Sequence, residues 1–154
     1  MRFRRGFAGA AAVVGASVLL VTGTAPNASA ADTKQYRNVQ TGLCLDSNAN
    51  GAVYTKSCGS TNPFQKWDRT VVNGRIKLKN VGTGRCLTIE DAWTEGLVTE
   101  PCDRNDPEQL WWELTIGGKV RMVDDRSYAV DSNTKGNAYL KTYGESNPYQ
   151  QWYA

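Results

Sequence analysis

The chain has 154 residues, with 18 Lys and Arg against 15 Asp and Glu, a formal net charge of +3 and no histidine. Without histidine there is no Ser-His or Cys-His nucleophile system and no His-ligated metal. Three of the basic residues are Arg2, Arg4 and Arg5, so a chain processed after Ala30 carries 15 charges of each sign and is formally neutral. It has no Lys/Arg stripe, so neither nucleic acid nor an acidic membrane is expected as a partner.

In chain order, Arg2, Arg4 and Arg5 form a positive start, Ala8 to Val21 is apolar with small residues, and Ala28-Ser29-Ala30 is an A-x-A cleavage pattern. This predicts a secretory signal peptide over 1–30 and a secreted, extracellular product. The apolar run is short for a membrane span, so no insertion is expected. The remaining stretch, 31–154, has no linker or low-complexity segment and suits one compact domain.

That domain repeats itself. Asp46 to Trp67 returns as Asp131 to Trp152 without a gap, with 11 of 22 positions identical. The run Asn38-Val39-Gln40-Thr41-Gly42-Leu43-Cys44-Leu45 returns as Asn80-Val81-Gly82-Thr83-Gly84-Arg85-Cys86-Leu87. The middle copy closes on Pro107-Glu108-Gln109-Leu110-Trp111. Three units of about 42 residues follow, at about 34–75, 76–118 and 119–154, each ending in Gln-x-Trp.

Cys44 and Cys58 lie in the first unit, Cys86 and Cys102 at equivalent places in the second, and Ala129 and Tyr143 replace both in the third. Joint loss argues that they work in pairs. Four cysteines allow three connectivities, and the repeat selects Cys44–Cys58 and Cys86–Cys102. A zinc site lacks a CxxC spacing, and export favours oxidation.

Val71-Val72, Ile76-Lys77-Leu78, Leu114-Thr115-Ile116 and Val120-Arg121-Met122-Val123 read as short strands between Gly- and Asn-rich turns. No window sustains a helical period. Three units of four strands give an all-β fold of twelve short strands. One unit cannot bury its apolar face alone, and closure removes sheet edges. A β-trefoil with pseudo-three-fold symmetry is expected.

Trp67, Trp111 and Trp152 are the candidate wedges of a shared core, each with an N–H needing a partner. Gln65, Gln109 and Gln150, two residues earlier, are expected on the same side of a strand as the Trp, satisfying turn backbone. Asp46 and Asp131 are different, since an unpaired carboxylate is costly to bury. Each precedes Ser-Asn and, five residues on, Gly51 or Gly136. Either the Asp caps a turn, or its carboxylate accepts from two neighbouring hydroxyls of a sugar. In the second case Tyr54 and Tyr139, with Phe64 and Tyr149, supply aromatic walls for the sugar's C–H face. Asn62 and Asn147 add amides. Recurrence of the whole set favours binding.

The Gln-x-Trp repeats, the Cys-Leu-Asp start at Cys44 and the cysteines within units resemble the ricin B-type β-trefoil lectins, also called family 13 carbohydrate-binding modules. Thr41 to Asn48, Val53-Tyr54-Thr55 and Gln65-Lys66-Trp67 are similar to the actinohivin-like pattern in that group, whose pockets take high-mannose ends. The resemblance implies pockets at Asp131, Tyr139, Asn147 and Tyr149, and at Asp46, Tyr54 and Asn62 with Phe64 in place of a Tyr. Lys56 and Lys141 stand where that pattern has an apolar residue. Both units carry one residue more than the pattern before the Asn. The middle unit departs, with Thr88 for Asp, Val98 for Tyr and Glu108 for the aromatic, and its pocket is expected to be dead. Its inserted loop carries Trp93, either a local cover or a separate contact.

The expected function is therefore a monomeric, secreted, non-catalytic lectin for glycans, with no cofactor and no metal. A hydrolase is disfavoured because Asp46 and Asp131, in different repeats, should stand too far apart for the ~5–10 Å of a glycosidase pair. The alternative is a trefoil protein-binding or protease-inhibitor module, in which the repeated polar residues would have no task.

Overall fold

The computed structural model describes residues 32–91 and 95–154. The expected signal peptide and Trp93 lie outside the described residues. The strands are β1 (Asp32–Lys34), β2 (Arg37–Asn38), β3 (Cys44–Ser47), β4 (Val53–Lys56), β5 (Trp67–Val72), β6 (Arg75–Asn80), β7 (Cys86–Asp91), β8 (Gly96–Glu100), β9 (Trp112–Ile116), β10 (Lys119–Val123), β11 (Tyr128–Ser132), β12 (Ala138–Thr142) and β13 (Trp152–Tyr153). β1 and β2 are halves of one strand interrupted at Gln35-Tyr36, so these thirteen segments make the twelve strands of a β-trefoil. The fold is all-β. Single-turn 3-10 helices at Pro63–Gln65, Pro107–Gln109 and Pro148–Gln150 close the loops before Trp67, Trp111 and Trp152.

The first and last strands of the three units build a barrel. β1 pairs with β5 and β5 with β6. Ile76 bridges to Trp111, β9 pairs with β10, β10 with β13, and β13 with β2. Turns at Asn73-Gly74 and Gly117-Gly118, all at positive φ, join one unit to the next. Closure pairs edges that would otherwise template association.

The middle strands of each unit form hairpins that cap the barrel and engage head to tail. Thr99 N–H donates to the Gly51 carbonyl at 2.8 Å, Leu140 N–H to Glu95 at 2.9 Å, and Thr55 N–H to Gly136 at 2.8 Å. Gly51 is required here. Its φ is +90°, and a Cβ would lie 2.7 Å from the Thr99 carbonyl oxygen.

Trp67, Trp111 and Trp152 are fully buried among Leu45, Leu78, Leu87, Met122 and Val130. Their indole N–H groups donate to the carbonyls of Leu45 (3.1 Å), Leu87 (3.2 Å) and Val130 (3.2 Å). An indole buried without such an acceptor would cost free energy. The glutamines are not on the tryptophan strands as expected. Each ends a 3-10 turn, because Pro at the first position and a capping Asn or Asp before it start a helical turn. From there the Gln65, Gln109 and Gln150 carbonyl oxygens accept from Gly59, Asp103 and Gly144 N–H, at 2.8 to 2.9 Å.

Cys44–Cys58 and Cys86–Cys102 are both disulfide-bonded, with separations of 14 and 16 residues. Each ties the start of a capping hairpin to the loop leaving it. Loops of this length stabilise by about 3 kcal/mol each in the chain-entropy model. Replacing Cys44 and Cys58 together by Ser is expected to lower unfolding free energy by about that amount in urea titration. A Cys58–Cys86 peptide in non-reducing mapping would contradict the pairing.

Candidate functional site

Asp46 on β3 and Tyr54 on β4 are directly paired across their hairpin, and so are Asp131 on β11 and Tyr139 on β12. Cross-strand partners share a face, so each carboxylate and phenol open on the same side. The 3-10 turn then brings up the other two groups. Asn62 caps its turn, accepting from Phe64 N–H at 3.1 Å, and donates to Asp46 Oδ2 at 3.3 Å. Asn147 accepts from Tyr149 N–H at 3.1 Å and donates to Asp131 Oδ2 at 3.0 Å. Each Asn thus turns its amide donor to the carboxylate while its side-chain oxygen stays engaged with backbone.

Both carboxylates are only 2 % exposed, yet each lines a cavity. The first, about 200 Å³, is formed by Asp46, Tyr54, Lys56, Asn62 and Phe64 with the Ser47–Ala49 rim. The second, about 180 Å³, is formed by Asp131, Tyr139, Lys141, Asn147 and Tyr149 with the Ser132–Thr134 rim. These lie below the ~300 Å³ at which drug-sized ligands begin, which suits a small ligand rather than an extended, enclosed one. Asp46 is held more tightly, because Gln65 Nε2 also donates to its Oδ2 at 3.0 Å.

The hydroxyls of Tyr54 and Tyr139 both titrate above the ordinary tyrosine value. Partial withdrawal from water is the first cause and the adjacent Asp46 or Asp131 charge the second. Both stay protonated at neutral pH, each able to donate and accept. Lys56 places its ammonium 5.9 Å from the Tyr54 ring centroid.

Neither Asp caps the hairpin turn. Asn48 does so in the first unit, accepting from Asn50 and Ala52 N–H, and Asn133 in the third, accepting from Lys135 and Asn137 N–H. The Asx role expected as the alternative for Asp46 and Asp131 thus falls two residues later, on the Asn of the same Asp-Ser-Asn triplet.

In the middle unit Thr88 pairs with Val98. The Thr88 hydroxyl donates back to the Cys86 carbonyl at 2.8 Å. Asp106 takes the capping place of the Asn. Glu108 is tied to Arg126 at 2.8 Å. A hydroxyl engaged with backbone, an apolar side chain and a paired carboxylate replace the constellation.

Two positioning residues were not singled out from the sequence. Asn80 Nδ2 donates to the Phe64 carbonyl and Asn38 Nδ2 to the Tyr149 carbonyl, both at 2.7 Å, while their side-chain oxygens hold the following turns. The second repeat thus fixes the aromatic wall of the first, and the first that of the third. The signal was present in the repeated Asn-Val-x-Thr-Gly run. In the third unit Asp124 occupies this place and binds Arg126 instead, at 2.9 Å. Gly82 completes the arrangement in the first pocket, since a Cβ there would lie 2.7 Å from Phe64 Cδ1.

The chain matches the family model of the ricin-type beta-trefoil lectin domain over residues 32–152. Similar solved structures include a "GlcNAc[alpha]1-4Gal releasing endo-[beta]-galactosidase from Clostridium perfringens", at 23% identity and a TM-score of 0.70. The match covers 78% of this chain and 31% of that one, so the chain spans about a third of that protein. A designed three-fold symmetric protein, ThreeFoil, is 24% identical with a TM-score of 0.68, over 79% of this chain and 96% of that one. At such identities the two structures show a shared fold. No curated protein matches the sequence. On a family match that runs from β1 to β13, with the trefoil closed around its three tryptophans, this chain belongs to the ricin-type β-trefoil lectin domain family.

Proposed function

We propose that the chain is a secreted, non-catalytic lectin that holds single glycan ends in two pockets, centred on Asp46 and Asp131. The observation that carries this reading is the repetition of one full constellation in two units: carboxylate, cross-strand phenol, amide donor and aromatic wall. An ionised carboxylate with a free oxygen suits two adjacent sugar hydroxyls. Tyr54 with Phe64, and Tyr139 with Tyr149, offer faces to the ring's C–H side. Family membership supports carbohydrate as the ligand class. The actinohivin-like pattern makes high-mannose ends one ligand to test. Each carboxylate sits in its own pocket with its own walls, which supports binding over acid–base chemistry. The endo-β-galactosidase activity of the clostridial protein is that protein's own.

Asp131→Asn and Asp46→Asn keep the shape of the side chain and an acceptor for Asn147, Asn62 and Gln65. Each is expected to weaken its own pocket by roughly 1.5–3 kcal/mol, the range for a lost charged hydrogen-bond partner. Binding to a multivalent glycan surface should fall by about 10²-fold in either variant, because avidity needs both pockets. Asp131→Asn is expected to be the more damaging, since Tyr149 keeps a hydroxyl that Phe64 lacks. A double variant that binds a glycan array at wild-type strength would contradict the mechanism.

Thr88→Ala and Glu108→Ala are expected to leave glycan affinity unchanged in the same assay. A clear loss in either variant would mean that the middle unit takes part.

A further inference from the structure

Lys56 and Lys141 occupy equivalent places in the two pockets and have no role in the reading above. Each is exposed and follows its cross-strand Tyr by two residues, so ammonium and phenol rise from the same face of β4 or β12. Among the described residues, no ion pair within 4.0 Å is formed by either lysine. Neither therefore serves to neutralise the Asp below it, whose Oδ2 already accepts from Asn62 or Asn147. The middle unit, without the Asp pocket, has Glu100 at this place. A positive rim thus accompanies the two complete pockets and is reversed where the pocket is lost.

Resting on the lectin reading, we propose that both pockets select glycan ends bearing an anionic substituent, a carboxylate or a sulfate ester, on the sugar they hold. The pocket has two electrostatic levels. Its floor is an acceptor-only carboxylate that takes hydroxyls and repels an anion. Its rim carries an ammonium with three donors that takes an anion and leaves the hydroxyls to the floor. The ring is therefore oriented with its hydroxyl pair inward and its charged group outward. In the first pocket the ammonium sits over the Tyr54 ring, 5.9 Å from the centroid, which directs it across the aromatic wall on which the sugar would lie.

The test compares matched ligands on the mature protein by calorimetry. A hexose methyl glycoside, its uronic acid and its 6-O-sulfo ester are titrated for the gluco, galacto and manno series. At least one anionic member is expected to bind about tenfold tighter than its neutral parent, with the advantage shrinking as salt rises. Whether the uronic or the sulfo series shows it distinguishes the two sources of charge. Lys56→Met with Lys141→Met should bring the ratio of anionic to neutral affinity to about one, and Lys119→Met, on the barrel, should leave that ratio as it was. Equal affinities for neutral and anionic members, with both lost in Asp46→Asn/Asp131→Asn, would overturn this proposal and keep the lectin reading. A ratio that collapses equally in Lys119→Met would overturn it in favour of a general field. Absence of binding to any member, or binding indifferent to both Asp variants, would remove the pocket reading and this proposal with it.

Discussion

The structure depends on one hydrogen bond made three times, from a buried indole N–H to the carbonyl of the residue just before the floor of the unit's pocket. Trp67 donates to Leu45, which precedes Asp46, and Trp152 donates to Val130, which precedes Asp131. The tryptophan is both the wedge of the barrel core and the clamp on the strand that carries the carboxylate. A buried donor tolerates no vacancy at its acceptor, so core packing sets the position of β3 and β11 from below. The glutamine two residues earlier acts from the side. Its carbonyl oxygen holds the loop entering the 3-10 turn, and in the first unit its amide reaches Asp46 itself. Site geometry is thus a by-product of the way the fold closes.

This coupling explains how the middle unit can lose its pocket and keep its fold. Trp111 and Gln109 make the same contacts as their counterparts. At the pocket positions themselves the middle unit has Thr88, Val98, Asp106 and Glu108, none of which belongs to the hydrophobic core. The freed positions are recruited locally, with Glu108, Arg126 and Asp124 forming a chain of charges. The Glu108–Arg126 pair is exposed and contributes little, whereas Asp124 is buried and holds its turn by accepting from Arg126 and Tyr128 N–H. The neighbouring repeat matters as much as the repeat itself, because Asn38 and Asn80 place an aromatic wall that belongs to another unit.

The trefoil was legible because its marks are periodic: three Gln-x-Trp ends, two similar starts and a missing cysteine pair in one unit. The grouping of Asp46 with Tyr54, and of Asp131 with Tyr139, came from the joint recurrence of the set in two units. Three things were hidden. That the glutamines sit on 3-10 turns depends on the Asn-Pro cap, which a strand-based spacing rule overlooks. That Asn48 and Asn133 take the Asx role depends on which residue of the Asp-Ser-Asn triplet meets the turn. That Asn38 and Asn80 serve a different repeat from their own depends on contacts over 111 and 16 residues, and no local pattern carries such information.

The central proposal is that one scaffold presents two Asp-centred pockets for sugar and a middle unit without one. The most direct measurement is an NMR titration of the mature, isotope-labelled protein with a glycan it binds, following backbone amides in all three units. The account predicts two separate sets of shifted amides, one around Asp46, Tyr54 and Asn62 and one around Asp131, Tyr139 and Asn147, with the amides around Thr88 and Val98 unmoved. Shifts centred on Thr88, or spread over a surface that avoids both Asp pockets, would contradict it.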